Sequence, residues 1–127
     1  MPGPARAGAL IFAKDLDTLS RFYEQLLGMR LVAAEPGLRV IENGDIQMVI
    51  HAMPPHIAAQ VEISLPPEAR EDQAIKPFFT IDTLASAESI AAGLGGYVFG
   101  PTWDGPGFRI RNACDPEGNI IQLREWT

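Results

Sequence analysis

The sequence predicts an α+β protein in which one βαβββ module occurs twice, in about residues 7–52 and 74–125. Each half begins with a short apolar segment, continues with an amphipathic helical pattern and ends with three strand-like segments. This order favours a helix packed on one face of a small sheet. A polar, proline-rich stretch at about residues 53–73 is predicted to link the halves. The length of 127 residues fits one domain, 1–127, containing both modules.

The first half opens with a strand and a helix. Residues 7–13 are short and apolar and predict the strand, after which residues 16–27 change to helical spacing. Asp15 or Asp17 can cap the start of the helix, and Gly28 can end it in the left-handed conformation. The apolar stripe of this helix consists of Leu16, Leu19, Phe22, Tyr23, Leu26 and Leu27.

Three strands are predicted to follow this helix. Between the second and third of them lies Asn43-Gly44, which is a strong hairpin signal because both residue types tolerate positive φ. The strands are expected at about residues 30–34, 38–42 and 46–51.

The second half repeats the same order of elements. A strand at 74–81 precedes helical spacing at 84–94, and the glycine pair at 95–96 stops the helix. The segments GLRV at 37–40 and GFRI at 107–110 match each other, which supports a duplicated module; two copies are too few for a solenoid. The remaining strands are expected at about 97–99, 108–113 and 120–124.

The last strand follows a tight-turn signature, DPEGN at 115–119. Pro116 fixes φ at the first corner, Gly118 accepts positive φ, and the side chain of Asp115 can accept a hydrogen bond from the backbone two residues on. Alternation in the strand behind the turn places Gln122 on the face opposite its two apolar neighbours.

This turn and strand, together with the helix segment DLDTLSRFYEQLLG at 15–28, resemble the vicinal oxygen chelate superfamily. That superfamily contains glyoxalase I, extradiol dioxygenases, methylmalonyl-CoA epimerase and the bleomycin and fosfomycin resistance proteins. The resemblance covers nearly the whole chain and implies curved mixed sheets that form a ligand cleft, and a homodimer. It does not fix the chemistry, because this fold hosts many reactions and some pure binding proteins.

The resemblance also implies four metal-ligand positions on cavity-facing strands. His is usual at the positions of Gly8 and Lys76, and Glu at that of Gln122; the remaining position is Val49, or Met48 if the register slips by one residue. Divalent ions of this family require imidazole nitrogen and carboxylate oxygen. Glycine and valine donate nothing and an ammonium group repels the ion, so we expect no divalent metal and no other cofactor.

Alternation predicts which strand side chains face the cavity. In the first half Met48 and Ile50 mark the helix-packed face, and in the second half Phe79 and Ile81 mark it. Their neighbours of opposite parity, Thr80 among them, are then turned toward the ligand. The predicted ligand-binding residues are Phe12, Gln47, Val49, His51, Lys76, Phe78, Trp103, Gln122 and Arg124.

Several of these residues have two interpretations. His51 can act as a general base or accept a hydrogen bond from a ligand, or it is a rim histidine at a strand end. Lys76 and Arg124 can form a cationic spot suited to a carboxylate or phosphate, or they are exposed residues that protect sheet edges. Trp103, in the glycine-rich loop 100–107, can close over a ligand or pack at a dimer contact.

Composition limits the partners. The net charge of −6 has no basic block to offset it, which argues against nucleic acid and anionic membranes. Apolar runs are too short for a signal peptide or a membrane span. The single cysteine, Cys114, cannot form an internal disulfide, and this is typical of a reducing compartment, so a cytoplasmic location is predicted.

The sequence therefore predicts a small-molecule-binding protein of the glyoxalase/bleomycin-resistance type without the usual metal site. The alternative is a lyase, isomerase or dioxygenase of the same superfamily with a non-standard or metal-free active site, in which His51 or Lys76 supplies acid–base chemistry. A third interpretation is a structural or regulatory subunit whose cleft is filled by its own side chains.

Overall fold

The computed structural model describes residues 5–127 and confirms the α+β class. It contains two mixed sheets, of four and five strands, and two compact units whose boundary in the chain lies between Glu62 and Ile63. The first unit contains β1 (Gly8–Ala13), α1 (Leu16–Leu27), β2 (Arg30–Glu35), β3 (Leu38–Glu42), β4 (Gln47–Ala52) and α2 (Pro55–Ala58). The second contains β5 (Phe78–Thr80), α3 (Leu84–Gly93), β6 (Tyr97–Val98), β7 (Trp103–Gly105), β8 (Phe108–Cys114) and β9 (Ile120–Trp126).

The first unit is a four-stranded sheet in the order β1-β4-β3-β2, with α1 packed against β3 and β4. Only the β1–β4 pair is parallel. Helix α1 begins where the carboxylate of Asp15 accepts a hydrogen bond from the Thr18 amide, and it ends at Gly28 with φ of 63°. The helix and the strands beneath it bury a core of Leu19, Phe22, Tyr23, Leu26, Ile41, Met48 and Ile50.

The second unit is a sheet in the order β5-β9-β8-β6, with β7 paired to the N-terminal residues of β8, Phe108–Ile110. Only the β5–β9 pair is parallel. Helix α3 buries smaller side chains than α1: Leu84, Ala87 and Ala91. Beneath it Ile121 and Leu123 of β9 are buried, as the alternation behind the closing turn predicts.

The closing turn has the predicted side-chain hydrogen bonds and the predicted glycine conformation. One carboxylate oxygen of Asp115 accepts hydrogen bonds from the amides of Glu117 (2.9 Å) and Asn119 (3.0 Å), and the other accepts from the Asn119 side chain (2.9 Å). Gly118 has φ of 90°, and a Cβ atom there would collide with the carbonyl oxygen of Glu68. The turn is therefore packed against the backbone at Glu68, and only glycine fits at position 118.

Three elements differ from the prediction. The strand expected at 74–81 begins only at Phe78: Pro77 lacks an amide hydrogen, and Gln73 occupies the edge by accepting from the Ile120 amide and donating to the Ile120 carbonyl. The linker contains helix α2, whose Pro55 occupies a favourable first-turn position. The loop carrying Trp103 forms strand β7.

The predicted hairpin between β3 and β4 is present, but its turn is longer than a two-residue type. The Asn43 side chain accepts hydrogen bonds from the amides of Asp45 (2.9 Å) and Ile46 (3.1 Å), and Gly44 is not at positive φ. An asparagine side-chain turn therefore replaces the expected mirror-image turn.

Candidate functional site

In each unit the helix covers one face of the sheet and leaves the other, here called the open face, uncovered by a helix of the same unit. Residues paired in register across neighbouring strands lie on the same face. The first open face is formed by Gly8, Leu10, Phe12, Arg30, Ala33, Glu35, Leu38, Val40, Glu42, Gln47, Val49 and His51. The second is formed by Phe78, Thr80, Trp103, Gly105, Phe108, Ile110, Asn112, Gln122, Arg124 and Trp126. Register also places Tyr97, Cys114 and Ile120 on this side of the sheet, where Cys114 and Ile120 are buried.

On the first open face, four of the sequence-predicted residues come together. Phe12 pairs with His51, and their rings meet edge to face with centroids 5.6 Å apart. Gln47 and Val49 lie beside them on the same strand as His51. Phe12 is 53% exposed, so a large apolar ring on this face is accessible to a ligand.

The imidazole of His51 is already anchored on one side. Its Nδ1 lies 2.8 Å from the carbonyl oxygen of Ala52, and since a carbonyl only accepts, Nδ1 carries the proton in the neutral ring. The Nε2 atom is then the acceptor. This geometry suits a ligand hydroxyl or amide that donates to the imidazole.

On the second open face, Phe78 and Gln122 pair in register, and Trp103 and Arg124 both pair with Ile110, from opposite sides. The guanidinium carbon of Arg124 lies 3.7 Å from the centroid of the Phe78 ring. The face therefore brings together four of the sequence-predicted residues.

Lys76 does not join them. The prediction placed it on a cavity-facing strand, and this is wrong: Lys76 is exposed and lies before β5, which begins at Phe78. The reason is the same edge arrangement that shortens the strand. The predicted cationic spot on this face therefore contains Arg124 and not Lys76.

The implied metal site can be tested against its donors. Among residues 5–127, no three His, Cys, Asp or Glu side chains form a group that could hold a metal ion. The register neighbours of Gln122 are Phe78 and Asn112, and those of Val49 are Leu10 and Val40. Aliphatic and aromatic neighbours give no ligand, and amides are poor substitutes for imidazole and carboxylate. The residues present do not fit the family's divalent ion.

At Gly8 the backbone itself leaves no room for a metal-binding side chain. A Cβ atom at Gly8 would lie 2.6 Å from the carbonyl oxygen of Gln47 on the neighbouring strand. A histidine at this position would therefore require the β1 and β4 backbones to separate, so a single substitution does not restore the missing ligand.

Cys114 and Tyr97 lie on the β6–β8 pair, and His56 lies on α2. Cys114 is fully buried, and burial raises the pKa of its thiol to about 11, which keeps it protonated and unreactive near neutral pH. Tyr97, which pairs with it across β6 and β8, has a raised pKa chiefly because of burial. His56 is exposed on α2.

Sequence reasoning missed half of the residues that define the second open face: Gly105, Phe108, Ile110, Asn112 and Trp126. Phe108, Ile110 and Asn112 are alternate residues of β8 and therefore lie on one face of the sheet, so alternation along that strand was a usable signal. Gly105 gave no such signal, because strand β7 was interpreted as a loop. A Cβ atom on Gly105 would lie 2.6 Å from the Phe108 ring, so the glycine creates the space in which that ring lies.

The fold agrees with the comparisons. A family model, Glyoxalase/Bleomycin resistance protein/Dioxygenase superfamily, matches residues 7–123, and the chain belongs to this superfamily. A comparison with curated protein sequences returns no significant match.

Solved structures share the fold at low sequence identity. A glyoxalase/bleomycin resistance protein/dioxygenase family enzyme from Burkholderia phytofirmans PsJN aligns with a TM-score of 0.71 and 20% identity, covering 95% of this chain and 98% of its own. A fosfomycin resistance protein from Mesorhizobium loti has a TM-score of 0.66 at 18% identity, with coverage of 100% and 95%. A bleomycin-binding protein complexed with bleomycin has a TM-score of 0.61 at 17% identity, with coverage of 98% and 100%.

No helix of residues 5–127 combines the length and apolarity that crossing a membrane requires.

Proposed function

We propose that this protein binds a small, partly apolar organic molecule on its open sheet faces, and that it does so without a divalent metal. The observation that carries the proposal is the exposure of large apolar side chains on sheet faces that their own helices leave uncovered. Leu10 and Phe12 are 55% and 53% exposed on the first face, and Phe78 is 56% exposed on the second. Each set surrounds polar side chains able to orient a ligand.

The bleomycin-binding and fosfomycin resistance proteins with this fold support a binding role, since both proteins are named for small organic molecules. The donor set supports metal independence, because neither Gln122 nor Val49 has a strong metal ligand beside it. The proposal also includes a homodimer and a cytoplasmic location, which the sequence resemblance and the single cysteine favour.

Two measurements test the proposal. Elemental analysis of protein purified without chelators is expected to find far less than one bound metal ion per chain, and one tightly bound Zn, Ni, Fe or Mn ion per chain would contradict metal independence. Calorimetric titration with bleomycin, fosfomycin and a broad panel of small aromatic molecules is expected to give at least one saturable interaction. That interaction is expected to have the same affinity in buffer with and without EDTA.

Variants locate the interaction. Phe12→Ser and Phe78→Ser each remove an exposed ring from one open face, and at least one is expected to weaken binding about tenfold, which corresponds to the burial of one aromatic side chain. Ile75→Ser is the matched control, because Ile75 is 80% exposed but precedes β5 and lies on no strand. Equal affinity in all three variants would contradict the assignment to the open faces.

A further inference from the structure

The second open face contains one cation whose charge is not matched by an acidic partner. Three arginines lie on strands of the second unit, and two of them are on the helix-packed side. Arg111 donates to the Phe99 carbonyl and pairs with Glu88 at 3.2 Å, and Arg109 lies 3.6 Å from Asp104. Arg124 is the third, and no carboxylate lies within ion-pair distance of it in residues 5–127.

Arg124 is held in place without using its outer nitrogens. Its guanidinium carbon lies 3.7 Å from the Phe78 ring centroid and 4.8 Å from that of Phe108, and these rings belong to the strands on either side of β9. Its Nε donates to the Gln122 side-chain oxygen at 2.9 Å. The two terminal nitrogens have no hydrogen-bond partner within the described chain, so a pre-positioned pair of donors is available.

The amides beside Arg124 add one donor and one acceptor. An arginine can only donate, so the Gln122 oxygen must be the atom turned toward Arg124, and its amide nitrogen is left to donate elsewhere. Asn112 pairs with Gln122 in register, and its side-chain oxygen is buried with no hydrogen-bond partner. A buried amide without a partner is costly, and a ligand that bonds to it would remove that cost.

The remaining residues of this face are uncharged. Its members, as defined above by register, include no aspartate or glutamate, although the whole chain has a net charge of −6. Aromatic side chains border the donors, with Phe78 56% exposed and Trp103 49% exposed. A flat apolar body can pack on these rings while an oxygen anion meets the guanidinium.

We infer that the second open face recognises the oxyanion of a small aromatic acid, with Arg124 and the Gln122 amide nitrogen donating to the anion and the Asn112 side-chain oxygen accepting from a hydroxyl or amide group beside it. The inference rests on the proposed binding function and adds the ligand class and the residue that selects it. A carboxylate and a phosphate monoester share this chemistry, and the probes below distinguish them.

The test uses the full chain, titrated with benzoate, phenyl phosphate and neutral benzamide in EDTA-containing buffer and followed by amide NMR and calorimetry. An anionic probe is expected to bind about tenfold more tightly than benzamide, the discrimination that a charge-assisted pair of hydrogen bonds supplies. Preference for benzoate identifies a carboxylate as the natural ligand group, and preference for phenyl phosphate a phosphate.

Arg124→Gln is expected to abolish the preference for the anion, whereas Arg109→Gln, which changes an arginine on the opposite face of the same sheet, is expected to retain it. Thr80→Glu is the second variant and guards against misfolding of the first. Thr80 is exposed and pairs with Arg124 in register, so a glutamate there is expected to neutralise Arg124 and weaken anion binding about tenfold.

Equal binding of benzoate, phenyl phosphate and benzamide would overturn the inference and leave the proposed binding function standing. Anion preference that survives both Arg124→Gln and Thr80→Glu would also overturn it. If none of the three probes binds while another molecule of the panel does, the ligand class is wrong and the binding function holds. Absence of binding by every molecule would refute both.

Discussion

Both units begin with a strand and a helix followed by antiparallel strands, although α2 occurs only in the first and the extra strand β7 only in the second, and their open faces differ. The first is aliphatic around Phe12 and His51, and it contains carboxylates, Glu35 and Glu42. The second has no carboxylate and centres on Arg124 between two phenylalanine rings. A similar strand framework in the two units therefore supports different chemistry on each open face.

The covered faces differ as well. Helix α1 buries large side chains, among them Phe22 and Tyr23, each with 0% exposure. Helix α3 meets its sheet through alanines, Ala87 and Ala91. The first unit thus has large side chains in its helix–sheet interface, whereas the second has smaller ones there and a closing turn held by the hydrogen bonds of Asp115.

The largest expected effect is in the first unit's core. Phe22→Ala is expected to lower the free energy of unfolding by about 3–5 kcal/mol, because it removes a fully buried ring and leaves a cavity. Urea denaturation monitored by circular dichroism measures the change. Phe12→Ala, on the open face of the same unit, is the control and is expected to cost less than about 1 kcal/mol. A similar cost for the two variants would show that the open face is packed as tightly as the covered face.

The second prediction compares the side-chain turns of the two units. Asp115→Ala is expected to cost about 2–3 kcal/mol, because a buried carboxylate that accepts three hydrogen bonds is lost. Asn43→Ala removes a less buried turn residue that accepts two, and about 1 kcal/mol is expected. Denaturant titration of both variants decides the order. If Asn43→Ala proved the more destabilising variant, burial of the turn residue would not explain the difference in stability between the two variants.

The smallest effect concerns Cys114 in the second unit. Its pKa is raised by burial from 9.0 to about 11, so at pH 8 the native thiol is expected to react about 100-fold more slowly with an aromatic disulfide reagent than the thiol of urea-unfolded protein. Rapid labelling of the native protein at pH 8 would show that the thiol is not sealed in the core.

The same shift predicts a pH dependence of stability. The folded state holds the thiol proton more tightly, so this contribution is complete below pH 9 and is lost as the pH rises toward 11, by about 1 kcal/mol at pH 10. Tyr97, whose pKa is also raised, acts in the same direction. The free energy of unfolding of wild type and of Cys114→Ala, measured from pH 8 to 10, isolates the contribution of the thiol. An equal dependence on pH in the two proteins would contradict that contribution.

Much of the framework could be predicted from the sequence. Periodicity gave α1 with the observed bounds, Leu16–Leu27, and the turn residues gave the closing turn with Gly118 at positive φ. Alternation placed Gln122 opposite Ile121 and Leu123. These features depend on spacing between neighbours in the chain, and local sequence encodes such spacing directly.

Prediction failed where a distant residue decided the outcome. Lys76 was assigned to a strand whose first half does not exist, because Gln73 bonds to Ile120 on β9, 47 positions away. The partnership of Arg124 with Phe108 had the same difficulty, since it depends on a glycine in the unpredicted strand β7.

The sequence by itself determined the α+β class, the bounds of α1 and the lack of histidine and carboxylate at positions 8, 49, 76 and 122, since all of these depend on residue type and local period. Only the tertiary structure decided which arginine faces outward without an acid beside it, because that depends on strand register and on side chains from three different strands. At the closing-strand position where the family resemblance implies a metal-binding glutamate, this chain has Gln122, whose side-chain oxygen accepts a hydrogen bond from Arg124 Nε.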